Sequence, residues 1–135
     1  MSRIILDTNA VSSFFSGNRE VLASFEEAGT IFMSVVVMGE LYAGFHGGSL
    51  FKRNKDFLHA FLKKPTVKVL AVSDETAEIF GAIKHQLRQA GTPLPVNDIW
   101  LAAQTMETGA KLVTYDRHFL LVPGLRLWSE MEFGR

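Results

Sequence analysis

The chain has 135 residues, of which 47% are hydrophobic, and a mean hydropathy of +0.14, so we expect one domain spanning residues 1–135 with a sizeable core. The 14 basic and 14 acidic side chains cancel, which argues against a coat protein that binds nucleic acid through excess Lys and Arg. Cysteine is absent, which excludes disulfides and thiolate metal sites, and we find neither a secretory signal nor a membrane-length apolar run. We therefore expect a cytoplasmic protein.

The N-terminal segment predicts a short buried strand followed by two helical pieces. Residues 3–6 are an apolar run, and residues 8–15 form a helical turn. Asn18 is the expected N-cap of the next helix, which we expect to stop at Gly29.

The middle of the chain predicts a second strand and two helices. The strand covers residues 30–33, and Ser34 is placed to cap a helix after it. The Val35-Val36-Val37 triplet favours a strand by propensity, so both alternatives stay open there. Residues 50–64 have the spacing of an amphipathic helix, and Pro65 breaks it. The apolar residues expected near one side of this helix are Phe51, Phe57, Leu58, Phe61 and Leu62.

The second half continues the alternation of strands and helices. Predicted strands cover residues 67–72, 111–114 and a short final piece at 126–128. Predicted helices cover residues 74–90, capped by Ser73, and a segment from Asn97 or Asp98 to 108, ended by Gly109. This alternation predicts an α/β fold, in which helices cover both faces of a mostly parallel sheet.

Four acidic residues close or follow the apolar runs of this pattern. They are Asp7, Glu40, Asp98 and Asp116, and we call them the acidic quartet. Ligands of open parallel sheets gather outside the carboxyl ends of the strands, and all four acids can share that edge. Converging carboxylates would repel one another unless a bound cation compensated them. Taken singly, Asp7 and Asp98 are also plausible helix N-caps, Glu40 a solvated helix residue and Asp116 a turn residue.

The quartet favours magnesium or manganese, because these ions prefer oxygen ligands and the chain has no thiolate. Asp7 and Asp98 are the best direct ligands, while Glu40 and Asp116 would bind a second ion or orient water. Asn9 and Thr114 are candidate supporting donors. This chemistry suits hydrolysis of phosphodiesters by metal-activated water. A metal-free ribonuclease is disfavoured, because no pair of histidines has acid-base spacing, and we expect structural roles for the four histidines, including His118.

Basic and aromatic residues mark a second region of interest. A basic run is formed by Lys52, Arg53, Lys55, Lys63, Lys64 and Lys68. Its default interpretation is a solvated face, and the alternative is a contact to RNA phosphates or to an acidic partner. Several phenylalanines are expected in the core, and the alternative is a groove for an amphipathic helix. They are Phe14, Phe15, Phe45, Phe51 and Phe61.

Four ordered segments resemble the PIN-domain family, and within it the VapC-type toxins of toxin–antitoxin pairs. They are Ile5-Leu6-Asp7-Thr8-Asn9, Gly39-Glu40-Leu41, Asn97 to Ala103 and Thr114 to Phe119. The resemblance spans essentially the whole chain and implies a three-layer α/β/α sandwich. It also implies a Mg²⁺- or Mn²⁺-dependent endoribonuclease whose catalytic and metal-binding residues are the acidic quartet, with Thr114 in support. A homodimer, a cognate antitoxin and an RNA substrate, especially transfer RNA, are implied as partners.

Other functions fit the sequence less well. A haloacid-dehalogenase-like phosphatase needs a second acid two residues after Asp7, where this chain has Asn9. A non-catalytic binding module on the same fold would be expected to lose part of the quartet. A metal-dependent DNA nuclease stays open, because metal-assisted hydrolysis does not require the 2′-hydroxyl of RNA.

Overall fold

The computed structural model describes residues 2–128 and contains a central four-stranded sheet. Its strands lie in the order β3-β2-β1-β4, and every pair of neighbours is parallel. The strands are β1 (Ser2–Leu6), β2 (Ala28–Ser34), β3 (Val67–Leu70) and β4 (Lys111–Val113). This arrangement confirms the predicted α/β fold, with a sheet that is parallel throughout the described residues.

Six α-helices and one 3₁₀ helix connect and flank the strands in the described residues. They are α1 (Thr8–Phe15), α2 (Glu20–Glu27), α3 (Val35–His46), α4 (Phe51–Leu62), α5 (Asp74–Ala90), α6 (Val96–Thr108) and the 3₁₀ helix Arg117–Leu121. None of the helices in residues 2–128 is both long and apolar enough to cross a membrane.

Local capping explains several boundaries. The Ser34 hydroxyl accepts a hydrogen bond from the Val36 N–H at 3.1 Å, so the valine triplet begins α3 instead of extending the strand. Asn18 accepts a hydrogen bond from the Glu20 N–H at 2.9 Å, but the N-cap position of α2 is Arg19, one residue later than predicted. Ser73 and Thr76 form a reciprocal capping box at the start of α5.

Some predicted boundaries were wrong. Gly29 does not stop α2, because α2 ends at Glu27 and the chain enters β2 at Ala28, which leaves Gly29 inside the strand. Helix α6 starts at Val96, one or two residues earlier than predicted, since the Pro95 carbonyl accepts from the N–H groups of Asp98 and Ile99. The predicted strand at 126–128 is a single parallel bridge, Leu112 to Leu127.

The core lies on the sheet and between the last two long helices. Buried side chains of β1, β2 and β4, among them Ile5, Met33 and Leu112, form the main cluster with α1, α3 and α4. A second cluster, which includes Ile83, Leu87 and Ile99, joins α5 to α6. Burial of these apolar surfaces fixes the positions of β1, α3, α6 and β4, the elements that carry or precede the acidic quartet.

Candidate active site

Asp7 follows β1 and is the most enclosed member of the acidic quartet, with 5% of its surface exposed. It caps α1, because its Oδ1 accepts a hydrogen bond from the Ala10 N–H at 2.8 Å. Its Oδ2 accepts from the Thr114 hydroxyl. Burial raises the pKa of Asp7 from 3.8 to about 6, although these two hydrogen bonds oppose the shift, and the charges of Asp98 and Asp116 raise it further. Without a bound metal, ionisation of this carboxylate is therefore unfavourable in the folded protein.

Thr114 and Asp116 follow the end of β4. The Thr114 hydroxyl, which donates to Asp7, accepts in turn from the Asp116 N–H at 2.9 Å. Asp116 caps the 3₁₀ helix, since its Oδ1 accepts from the His118 N–H at 3.1 Å. One buried hydroxyl thus fixes the spacing between two acids that follow adjacent strands.

His118 lies between Asp98 and Asp116. Its Nε2 is 2.9 Å from Oδ2 of Asp98, and its Nδ1 is 3.1 Å from Oδ1 of Asp116. The donor atoms of these three residues lie within 4.8 Å of one another, close enough to hold one metal ion. Burial raises the pKa of Asp98, His118 opposes this rise, and the charges of Glu40 and Asp116 add to it.

Glu40 is half-buried on α3 and faces the residue that follows Asp7. Its Oε1 accepts a hydrogen bond from the Thr8 hydroxyl at 2.9 Å. Its position depends on the start of α3, where Ser34 caps the helix and donates to the amide oxygen of Gln104 on α6. The helices that carry Glu40 and Asp98 are therefore joined by a buried hydrogen bond.

The structure brings the four acids together at the carboxyl edge of the sheet. The sequence had suggested that three of these acids could be helix caps or turn residues. Asp7 and Asp116 are caps as well as members of the cluster, whereas Asp98 is not the N-cap of α6. Glu40 is not a freely solvated residue, because it is half-buried and hydrogen-bonded.

The supporting residues also differ from one another. Thr114 makes the predicted type of contact to Asp7. Asn9 is exposed, and within residues 2–128 no hydrogen bond joins it to the acidic quartet, so its supporting role stays a prediction. His118, for which we expected a structural role, lies between Asp98 and Asp116. The Asp-x-His spacing at a tight turn was a usable signal for this position, because a cap at Asp116 folds the ring two residues later back towards it.

The donor set fits a divalent cation. It consists of carboxylate oxygens and one imidazole nitrogen, which are ligands that magnesium, manganese or zinc can use. Two of the acids have raised pKa values because burial and neighbouring negative charge disfavour ionisation, and a cation would relieve both effects. Asp98, Asp116 and His118 are the residues best placed to hold it, with Asp7 and Glu40 coupled to them electrostatically.

Comparison with known proteins places this geometry in a family. The PIN domain family model matches residues 4–125, a range that contains the whole acidic quartet. Ribonuclease VapC2 of Haemophilus influenzae is 33% identical over 129 residues, which cover 93% of this chain and 96% of that protein.

Solved structures share the fold at lower identity. VapBC2 from Rickettsia felis, bound to a DNA fragment from its promoter, has a TM-score of 0.83 and 24% identity, and the match covers 93% of this chain and 97% of that one. VapBC-1 from nontypeable Haemophilus influenzae has a TM-score of 0.84 and 20% identity, with 95% and 98% covered. By fold, acidic edge and sequence match, the chain belongs to the PIN-domain family and is one of its VapC-type members.

Proposed function

We propose that this chain is a Mg²⁺- or Mn²⁺-dependent endoribonuclease and acts as the toxin of a type II toxin–antitoxin pair. The observation that carries the proposal is the convergence of the acidic quartet. The charges of Glu40 and Asp116 raise the pKa of Asp98, and the charges of Asp98 and Asp116 raise the pKa of Asp7. The relative named Ribonuclease VapC2 supports RNA as the substrate.

The residues divide into binding and positioning roles. Asp98 and Asp116 are proposed as direct metal ligands, because their donor atoms and those of His118 lie within 4.8 Å of one another, and Asp7 and Glu40 would add negative charge beside them or orient the attacking water. When bound, the ion supplies charge neutralisation at the phosphate and activation of that water. Thr114 holds Asp7 and Asp116 in register through its hydroxyl, which donates to one and accepts from the other.

Partners follow from the same family. The structural neighbours are VapBC complexes, which supports a cognate antitoxin as the partner of this chain. A homodimer, a transfer-RNA target and a cytoplasmic site of action are the finer parts of the proposal, and they rest on the resemblance alone. A small gene for a DNA-binding protein directly upstream would identify the antitoxin, and its product should block cleavage when mixed with the toxin.

The test is cleavage of purified transfer RNA, total RNA and DNA, each with magnesium, with manganese or with EDTA. We expect RNA to be cut only with metal, and Asp7→Asn to abolish cutting while the far-ultraviolet circular dichroism stays unchanged. Asp74→Asn is the matched control, because Asp74 is an exposed acid in the first turn of α5, outside the quartet.

Other outcomes would redirect the assignment. Cleavage of DNA in preference to RNA would favour the DNA-nuclease alternative. A folded sample that binds metal and cuts neither polymer would favour a non-catalytic module on this fold. Full activity of Asp7→Asn would remove Asp7 from the metal site.

A further inference from the structure

A groove leads away from the acidic quartet between α1, α3 and α4, and we call it the α4 groove. Its volume is ≈ 490 Å³, and its lining includes Thr8 and Glu40 as well as Arg53, Asn54 and Phe57 of α4. Since Glu40 belongs to the quartet and accepts a hydrogen bond from Thr8, the groove is continuous with the candidate active site.

Arg53 gives this groove an uncompensated positive charge. It is exposed, and within residues 2–128 no carboxylate lies at ion-pair distance from it. Its neighbour Lys52 differs, because its Nζ is paired with Asp56 at 3.0 Å. The Arg53 guanidinium carbon lies 5.4 Å from the centroid of the Phe57 ring, so a cation and an aromatic face stand side by side.

Phe57 faces away from the core, contrary to the apolar face predicted for this helix. Leu58 and Phe61 are buried at 0% and 3%, whereas Phe57 is 46% exposed. It also lines the two depressions that adjoin the groove, and its ring centroid is 6.2 Å from that of Phe15. An exposed ring beside a free guanidinium is the combination with which proteins hold single-stranded nucleic acid, the ring stacking a base and the cation meeting a phosphate.

The polarity of the lining favours a nucleotide over an apolar protein helix. Half of the lining residues carry hydroxyl, amide or charged groups: Thr8, Ser12, Ser16, Glu40, Arg53 and Asn54. The apolar face of a helix would strip water from these groups without replacing their hydrogen bonds. A nucleotide offers a phosphate, hydroxyls and base edges to the polar groups and a flat ring to Phe57.

We propose that the α4 groove binds a single-stranded nucleotide next to the scissile phosphate, with Arg53 on a backbone phosphate and Phe57 stacked on a base. The inference rests on the proposed ribonuclease function for its substrate class. It adds a positioning site outside the acidic quartet, and it assigns Arg53 within the basic run a contact to RNA.

The test measures binding without cleavage. The full chain is titrated into a fluorescent single-stranded RNA decamer in EDTA, which blocks metal-dependent cutting, and fluorescence anisotropy is followed at several salt concentrations. We expect Arg53→Gln to weaken binding about tenfold and to reduce the slope of log K against log salt by about 0.7, the value for one phosphate contact on a single strand. We expect Phe57→Leu to weaken binding about tenfold through lost stacking.

An abasic strand separates the two roles. The Phe57→Leu penalty should disappear on a strand without bases, while the Arg53→Gln penalty should persist. Matched controls are Phe57→Tyr, which keeps the ring, and Lys63→Gln, which removes an exposed charge at the end of α4 outside the groove lining. Both should bind like the wild type, and thermal midpoints should confirm that all variants fold.

The outcomes distinguish this inference from the proposed function. If the wild type cleaves RNA with metal, but Arg53→Gln and Phe57→Leu bind and cut as well as the wild type, the groove assignment is overturned and the ribonuclease stands. If the wild type cuts nothing, but Arg53→Gln and Phe57→Leu bind RNA more weakly than the wild type does, the groove assignment stands and the ribonuclease fails. If Phe57→Leu binds RNA like the wild type but no longer binds the upstream-encoded protein, the groove is assigned to a protein helix instead.

Discussion

The hydroxyl of Thr114 donates a hydrogen bond to Oδ2 of Asp7, and 107 positions of sequence separate the two residues. The contact joins the end of β4 to the end of β1, which are neighbours in the sheet. Both residues are buried, at 1% and 5% exposure, so this hydrogen bond is shielded from water. It orients the most enclosed carboxylate of the acidic quartet.

Replacing Thr114 with Val should weaken both the fold and metal binding. The change leaves the partly buried Asp116 N–H without its acceptor, which should cost at most about 1–3 kcal/mol of unfolding free energy. Because the lost hydrogen bond lowers the pKa of Asp7, that pKa should rise further and metal affinity should fall about 10- to 100-fold. Urea unfolding and manganese titration measure the two effects. Thr114→Ser keeps the hydroxyl and should recover most of the stability and most of the metal affinity. The role given to this hydroxyl would be contradicted if Thr114→Val lost neither, or if Thr114→Ser lost as much as Thr114→Val.

The stability of the metal-free protein should fall as the pH rises through about 6. Burial holds the pKa of Asp7 at about 6 in the folded state against 3.8 when exposed, so the folded protein binds more protons in this interval. The contribution of Asp7 is fully present below 3.8 and is lost as the pH rises through about 6, with an upper limit of about 3 kcal/mol.

Asp7→Asn tests this pH dependence directly. In EDTA, the unfolding free energy of the wild type relative to Asp7→Asn should decrease between about pH 4 and pH 6.5, and Asp74→Asn should follow the wild type. Asn can still cap α1, so the helix should be retained. A difference that does not change with pH would show that Asp7 ionises normally in the folded chain.

Divalent metal should stabilise the wild type more than Asp98→Asn. A ligand that binds only the folded state adds about 2.7 kcal/mol at 100 times its dissociation constant. Removing the Asp98 carboxylate takes away one of the three groups whose donor atoms lie within 4.8 Å of one another. Differential scanning fluorimetry with magnesium and manganese should give a large shift in the wild type and in Asp74→Asn, and a small one in Asp98→Asn. Equal shifts in all three would mean that the ion binds elsewhere.

Gln104 should be required for stability although it is polar and fully buried. Its amide oxygen accepts from Ser34, and its amide nitrogen donates to the carbonyls of Leu70 and Ala71 at 3.4 and 3.3 Å. Gln104→Leu leaves these groups unpaired and should lower the unfolding free energy by about 1–3 kcal/mol.

Urea unfolding checks this value, and Gln86→Leu on the exposed side of α5 is the matched control. Adding Ser34→Ala to Gln104→Leu should cost less than the sum of the single changes, because one unpaired partner is then removed. Strict additivity would argue against the Ser34–Gln104 hydrogen bond.

The order and type of the elements could be predicted from the sequence because hydrophobic period and capping residues act locally. The caps at Ser34 and Ser73 are examples, and both make the expected hydrogen bonds. Boundaries without such a side chain were predicted less well. Gly29 lies inside β2, where pairing of β1 with β2 extends the strand back to Ala28, and no local signal announces such pairing.

The same limit explains the site. Asp7, Glu40, Asp98 and Asp116 could be picked out because each follows an apolar run, but a helix cap and a site residue look alike in sequence. Asp7 and Asp116 turned out to be caps and members of the cluster at once. The place of His118 between two acids depends on how the 3₁₀ helix after β4 faces the start of α6, and that depends on packing.

The sequence by itself determined the α/β alternation, the acids at the strand and helix ends and the resemblance to the PIN-domain family, because these depend on residue type and spacing along the chain. Only the tertiary structure decided the exposure of Phe57, the continuity of the α4 groove with Glu40 and the raised pKa of Asp7. These properties depend on which surfaces lose water when distant segments pack, and burial of that kind is set by the whole fold and not by neighbours in the sequence.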